Sequence, residues 1–402
     1  MLGQEQARIE LMVDVPYSAG DASEVGEQAE RLYAELGARP VINAAGAYTV
    51  LGGSMLSAAV RAAMDAAGYR FADMQALLDS SGREVAAMLD AESAYVTAGA
   101  AASLALAAAA CLTLRGRELL GRLPDTTGVA NEIIVQKNSR QKYDRCLTIA
   151  GARLFEAGDD HGLTLDALES AIGANTVALH YFAPGTVKGT PAAEDLIRVA
   201  HRHDLPVIVD AAGQTYPLDN MRKYARMGAD LVCYAGKYFD APQSTGLIVG
   251  RRELVELAAA NGFIGFETSG SLTLGRGMKV DRQEVFGCVL ALREWLSMDH
   301  EQRLGRYGER IDAILAELRG LDGIDAFRVS EREIPPPQLR DGVRVVFGSL
   351  RKSAEAVARE LREGEPSIWL HTNGDWLDVS VGFMHDEDAE VVGRRLREAF
   401  LS

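Results

Sequence analysis

Residues 206–214 read PVIVDAAGQ, and residues 230–246 read DLVCYAGKYFDAPQSTG. Each contains a short apolar run, which fits a strand buried on both faces. Each run leads to one charged side chain. Asp210 closes the first, and Lys237 stands just past the second, twenty-seven positions later. In an open parallel sheet, ligands bind at the carboxyl ends of the strands. Two buried strands that bring a carboxylate and an amine to that edge predict an α/β sheet with a chemical site.

The flanking sequence continues the pattern. Strands are expected over 94–96, 133–136, 177–181, 231–234 and 246–249, with helices over 22–36, 57–67, 74–89, 99–114, 165–172, 193–203 and 221–227. Such alternation predicts a mainly parallel sheet covered on both faces. The pattern changes near Asp281. Helices over 282–295 and 301–318, a strand over 343–347, a helix over 353–363, a hairpin in SIWLHTNGDWLDVSVGF (367–383) and a helix over 386–400 predict a smaller α+β unit. Asn373-Gly374 supplies the hairpin turn signal. The expected organisation is an N-terminal helical arm at 1–38, a large domain at 39–281 and a small C-terminal domain at 282–402.

Bulk properties bound the function. Of 402 residues, 48% are hydrophobic and 25% charged, as in globular proteins. A net charge of -15 argues against a nucleic-acid or anionic-membrane surface, which needs a basic face. The four cysteines, Cys111, Cys146, Cys233 and Cys288, are widely spaced and read as reduced thiols. The first residues carry acids where a signal peptide needs a basic start, so a cytoplasmic setting is expected. The alanine-rich stretch 98–114 is too short to predict a membrane span.

The lysine and aspartate suit pyridoxal 5'-phosphate (PLP). A lysine amine forms a Schiff base with the cofactor aldehyde, and a carboxylate keeps the pyridine nitrogen protonated so that the ring accepts electrons. Other polar side chains fall at strand ends: Gln136 closes IIVQ, and His180 and Tyr181 close TVALHY. AYVTAGAAASLA (94–105) combines a strand, a small-residue turn and a helix start, which suits a phosphate. No cluster of His, Cys and acids at ligand spacing accompanies Asp210, so no metal is expected.

These residues carry a family resemblance. PVINAAGAYTVLGGSML (40–56), FADMQALLDSSGREVAAMLDAESAYVTAGAAASLALAAAAC (71–111), PVIVDAAGQ, ADLVCYAGKYFDAPQSTGLIVGRREL (229–254) and LGRGMKVDRQEVFG (274–287) occur in order. The chain resembles the selenocysteine synthase-like group of fold-type I PLP enzymes. That group includes L-seryl-tRNA selenium transferase and the smaller D-glucosaminate-6-phosphate ammonia-lyase. The resemblance implies a large PLP-binding domain, a small α+β domain and at least a homodimer. It makes Lys237 the Schiff-base lysine and Asp210 the pyridine partner. It assigns Thr97, Gly99, Ala100 and Ala101 to a phosphate cup, with Gln214 and Gln243 beside the cofactor. Arg276 becomes a candidate for a substrate carboxylate or phosphate, and Arg140 and Lys142 for an anionic substrate. Tyr48 and His180 are further candidates on the substrate side.

Two departures stand out. Many relatives have a serine shortly before the lysine, where this chain has Ala235-Gly236, so phosphate binding would lean more on backbone amides, on another hydroxyl such as Ser103, or on a partner subunit. Asp240-Ala241 replaces a small-residue pair. The roughly 38 residues before the core form an acidic segment, which points away from a tRNA substrate. The expected reaction is α-proton abstraction from an amino acid or amino-sugar acid, then β-elimination to ammonia and a 2-oxo acid. A racemase, an aminotransferase, a selenium transferase and a catalytically silent PLP-fold binding protein remain alternatives.

Overall fold

The computed structural model describes residues 22–185, 187–330, 341–348 and 352–402, so residues 1–21 of the expected arm lie outside it. The remainder of the arm is helix Ala22–Glu35. After β1 (Ile42–Asn43), the chain forms β2 (Ser93–Thr97), β3 (Glu132–Gln136), β4 (Arg153–Ala157), β5 (Thr176–Phe182), β6 (Val207–Asp210), β7 (Leu231–Ala235) and β8 (Gly246–Gly250). Strands β2 to β8 make one seven-stranded sheet in the order β2-β8-β7-β6-β5-β3-β4. The five strands from β7 to β4 in that order run parallel, and β8 runs antiparallel to both neighbours. Every residue of β6, β7 and β8 is buried, as their uninterrupted apolar sequences predict.

β4 is not legible in the sequence. It lies at the sheet edge, and Arg153, Phe155 and Glu156 are exposed, which removes the apolar signature. Helix Gly99–Thr113 is buried continuously from Ala102 to Thr113, so its alanine run is core. Among the described residues, no helix is long and apolar enough to cross a membrane. Helix Met74–Leu89 packs so closely on β2 that a Cβ on Gly82 would lie 2.3 Å from the Ala94 carbonyl oxygen.

Two apolar cores form. The first surrounds the seven-stranded sheet and includes Val285, Leu292 and Trp295 of helix Arg282–Ser297. The second lies beneath a four-stranded sheet of β9 (Ile324–Val329), β10 (Gly342–Phe347), β12 (His371–Asn373) and β13 (Trp376–Ser380), with β11 (Ile368–Trp369) beside it. Helices His300–Leu318, Ala354–Glu363 and Asp388–Leu401 cover this core. The expected hairpin is β12–β13. Its pairing of Asn373 with Trp376 leaves Gly374 and Asp375 as the central residues, with Gly374 at φ +60°.

One connection positions the site. β1 pairs parallel with β11, and Ala44 enters the second core. Residues 42–44 are therefore attached to the C-terminal unit, while the chain just beyond them reaches the first sheet.

Candidate active site

The strand directions collect several loops at one edge. β2 and β7 both pair antiparallel with β8, so Thr97, Gly246 and Ala235 stand in one row. Asp210 ends β6 between Phe182 of β5 and Cys233 of β7. Lys237 follows Cys233 by four residues, just past the strand beside Asp210.

The lysine turn is braced from three sides. Gly236–Phe239 form one turn of 3-10 helix, closed by Asp240 in the left-handed region at φ 58°. The Thr215 hydroxyl donates to the Tyr238 carbonyl at 2.7 Å, and Trp295 Nε1 donates to the Thr215 carbonyl at 2.9 Å. Ser54 Oγ donates to the Ala241 carbonyl at 2.6 Å. A Cβ on Gly236 would lie 2.2 Å from Thr245 Oγ1, which accounts physically for glycine rather than serine immediately before the lysine. Lys237 Nζ donates to Thr49 Oγ1 at 2.8 Å.

Asp210 is buried, and its Oδ1 accepts from the Ala212 amide at 3.1 Å. Burial pushes its carboxyl up to about 6; the Ala212 amide opposes this and the nearby Asp144 charge adds to it. A cation beside Asp210 would offset both costs. Burial pushes the His180 imidazole down to about 4, with Asp144 opposing and Arg140 reinforcing, so the ring is neutral at pH 7.

Several buried polar atoms at this edge lack a hydrogen-bond partner among the described residues. They are His180 Nε2, both polar atoms of the Gln136 side chain, and Gln243 Oε1. Such atoms each cost about 1–3 kcal/mol when dry and unpaired. They fit a polar ligand that supplies the missing bonds.

The turn after β2 has the form of an anion site. Gly99 adopts φ +82°, and Ala98 provides no side-chain cap to the 15-residue helix that follows. Thr97 Oγ1 and Ser103 Oγ lie 2.6 Å apart, and both reach the Gly99 carbonyl, at 3.3 and 3.2 Å. These hydroxyls brace the turn from below. The amides of Gly99, Ala100 and Ala101 open the helix without a side-chain cap, which leaves them available to an anion.

The other expected residues are distributed unevenly. Gln214 is buried near Asn220. Gln243 packs against Gly53, where a Cβ would lie 2.6 Å from Gln243 Oε1. Tyr48 meets the His371 ring edge-on, with centroids 4.9 Å apart. Arg140 is already committed to carboxylates: its Nε lies 2.6 Å from Asp144 Oδ2, and its Nη1 meets Glu156. Arg276 pairs with Glu267 at 2.8 Å and lies over the Phe266 ring. Thr49 and Asp144 are the residues that sequence reasoning missed. Thr49 lies within the quoted 40–56 block, and the Arg140–Asp144 spacing of four was visible, but neither signal indicates burial or contact.

A carboxyl-edge lysine, a buried carboxylate on the adjacent strand and an uncapped helix start fit PLP as a group. On a seven-stranded, mainly parallel sheet with a small antiparallel one, they define a fold-type I PLP-dependent enzyme. The chain belongs to the aminotransferase class-V family, which matches residues 56–268. It is 33% identical to 5'-C-glycyluridine monooxygenase-decarboxylase of a Streptomyces species, over 92% of each chain. It is 31% identical to D-glucosaminate-6-phosphate ammonia lyase of Salmonella typhimurium, over 91% of this chain and 97% of that one. A solved structure of a D-glucosaminate-6-phosphate ammonia-lyase superimposes with a TM-score of 0.78 at 28% identity, covering 92% of this chain and 98% of that one. Similarity extends to L-seryl-tRNA(Sec) selenium transferase of Aquifex aeolicus, 24% identical over 62% of this chain and 59% of that one.

Proposed function

We propose that this protein is a PLP-dependent lyase that removes the α-proton of an amino acid or amino-sugar acid and eliminates a β-substituent. The observation that carries this reading is the placement of Asp210 at the end of β6 and of Lys237 just past the adjacent strand β7, together with end-to-end similarity to an ammonia lyase.

When bound, PLP supplies an electron sink for charge developing on the substrate α-carbon. Lys237 would anchor it, Asp210 would face its pyridine nitrogen, and the amides at 99–101 would hold its phosphate. Asp210 would be held as the anion by a cation facing it, against the burial that otherwise favours the neutral acid. Lys237 would accept the substrate α-proton at its Nζ. A leaving group departs from the β-carbon, and water completes the route to ammonia and a 2-oxo acid. Burial keeps His180 neutral, so it can orient the ligand through a hydrogen bond without adding charge.

The 33% identical relative favours a second reading, in which loss of CO2 with oxygen uptake replaces β-elimination. Incubation with D- and L-amino acids, amino-sugar acids and their phosphates in deuterated water separates the two. Ammonia and a 2-oxo acid carrying solvent deuterium at the former β-carbon support the lyase. CO2 release with oxygen consumption supports the decarboxylase, and α-exchange without ammonia supports a racemase. The cofactor assignment has its own control: Lys237→Ala should lose the visible absorbance band of the lysine-bound cofactor. A variant that kept both the band and turnover would refute the role of Lys237.

A further inference from the structure

We infer that Thr49 is the positioning residue for the Lys237 amine, supplied by a segment anchored to the C-terminal unit. This rests on the reading of Lys237 as the cofactor-bearing lysine. The contact is direct: Lys237 Nζ donates to Thr49 Oγ1 at 2.8 Å.

The chemistry explains why a hydroxyl suits this place. Lys237 has to act as an ammonium, a neutral nucleophile and a proton acceptor. A hydroxyl accepts from the ammonium and, after rotation, donates to the neutral amine. A carboxylate at the same point would pair only with the cation and hold the proton on nitrogen. Thr49 therefore fixes the direction of Nζ while leaving its protonation free to change.

The backbone around Thr49 is built to hold that hydroxyl. Thr49–Leu51 form a single 3-10 turn, with Gly52 at φ +90° and Gly53 at φ +78° completing the loop. The Gly53 amide returns to the Tyr48 carbonyl at 3.1 Å. On the upstream side, β1 pairs with β11, and Asn43 Oδ1 accepts from the Ala45 amide at 3.0 Å. The Tyr48 ring rests edge-on against His371 of β12, with centroids 4.9 Å apart. Downstream, Ser54 Oγ donates to the Ala241 carbonyl just beyond the lysine turn. The segment thus spans both units, with Thr49 at the point where it crosses the lysine.

The test uses the full-length apo protein, with Thr49→Val and Thr49→Ser. Valine keeps the branched shape without the hydroxyl; serine keeps the hydroxyl without the methyl. The readout is the rate at which the visible band develops on adding PLP or, separately, phosphate-free pyridoxal. Pyridoxal isolates the amine step from phosphate anchoring. Thr49→Val should slow capture of both aldehydes about tenfold, the scale of one lost hydrogen bond to a charged group, while inorganic phosphate competes as in the wild type. Thr49→Ser should stay within about twofold of wild type by the same reasoning. Wild-type rates in the valine variant would overturn the inference. Equal slowing in the serine variant would also overturn it, because the methyl would then be responsible. A wild-type protein that develops no band with either aldehyde would instead refute the reading of Lys237.

Discussion

Arg140 and Asp144 form an ion pair, Nε to Oδ2 at 2.6 Å, around a carboxylate that is only 3% exposed. The Asp144 charge acts on both Asp210 and His180, so the pair lies within the electrostatic neighbourhood of the site. Arg140 thus pairs with a buried anion of its own chain.

Arg140→Ala should destabilise the protein by about 2–3 kcal/mol, because Asp144 would stay buried with its charge partner removed. Arg140→Ala combined with Asp144→Asn should recover part of that loss. Denaturant unfolding of the two variants and of Asp144→Asn closes the cycle. A substrate-contact role predicts instead a raised KM for anionic substrates with unchanged stability.

Asp210→Asn should separate stability from cofactor binding. The Asp210 carboxyl, ordinarily at 3.8, is held at about 6 in the folded chain, so the folded state binds this proton more tightly. Its contribution is present below 3.8 and is lost as pH rises through 6, by about 3 kcal/mol in all. The neutral asparagine escapes that loss. Apo Asp210→Asn should therefore melt higher than apo wild type at pH 8. With PLP added, the order should reverse. Thermal melts with and without PLP test both parts.

His180 imposes the opposite slope over nearly the same range. Its imidazole falls from 6.5 to about 4 on burial, so its contribution is present above 6.5 and is lost as pH falls toward 4. In the wild-type apo protein the two contributions therefore oppose one another between pH 4 and 6. Single variants should unmask them. His180→Asn should gain stability as pH falls through that window, and Asp210→Asn should lose it. Urea midpoints at pH 4.5 and 6.5 measure the two slopes.

Gly99→Ala should weaken phosphate recognition selectively. Gly99 sits at φ +82°, and a Cβ there would lie 3.7 Å from its nearest neighbour, so the penalty is backbone strain rather than a clash. That strain is about 1–2 kcal/mol for a left-handed residue. Relief of it would turn the amides of the 99–101 loop away from an anion. PLP affinity should fall about tenfold, consistent with that strain, while pyridoxal affinity should hold. Equal loss for both ligands would show that the turn does not hold the phosphate.

The mainly parallel sheet was legible in the uninterrupted apolar runs, because strands buried on both faces must be apolar along their whole length. The same runs also marked Asp210 and Lys237 as standing at strand ends, since each interrupts such a run. The hairpin at 371–380 was legible from Asn373-Gly374, although its central pair lies one residue further on. Edge strand β4 was not, because its exposed residues carry no burial signal. Only the tertiary structure brought Thr49 to Lys237 across 188 positions and buried Asp144 beside Asp210 and His180. Local periodicity records which faces are buried; it contains no information on which distant segments meet there. The pairing of β1 with β11 is the physical link that carries an early segment over the lysine, and it joins residues more than three hundred positions apart, beyond the reach of any local pattern.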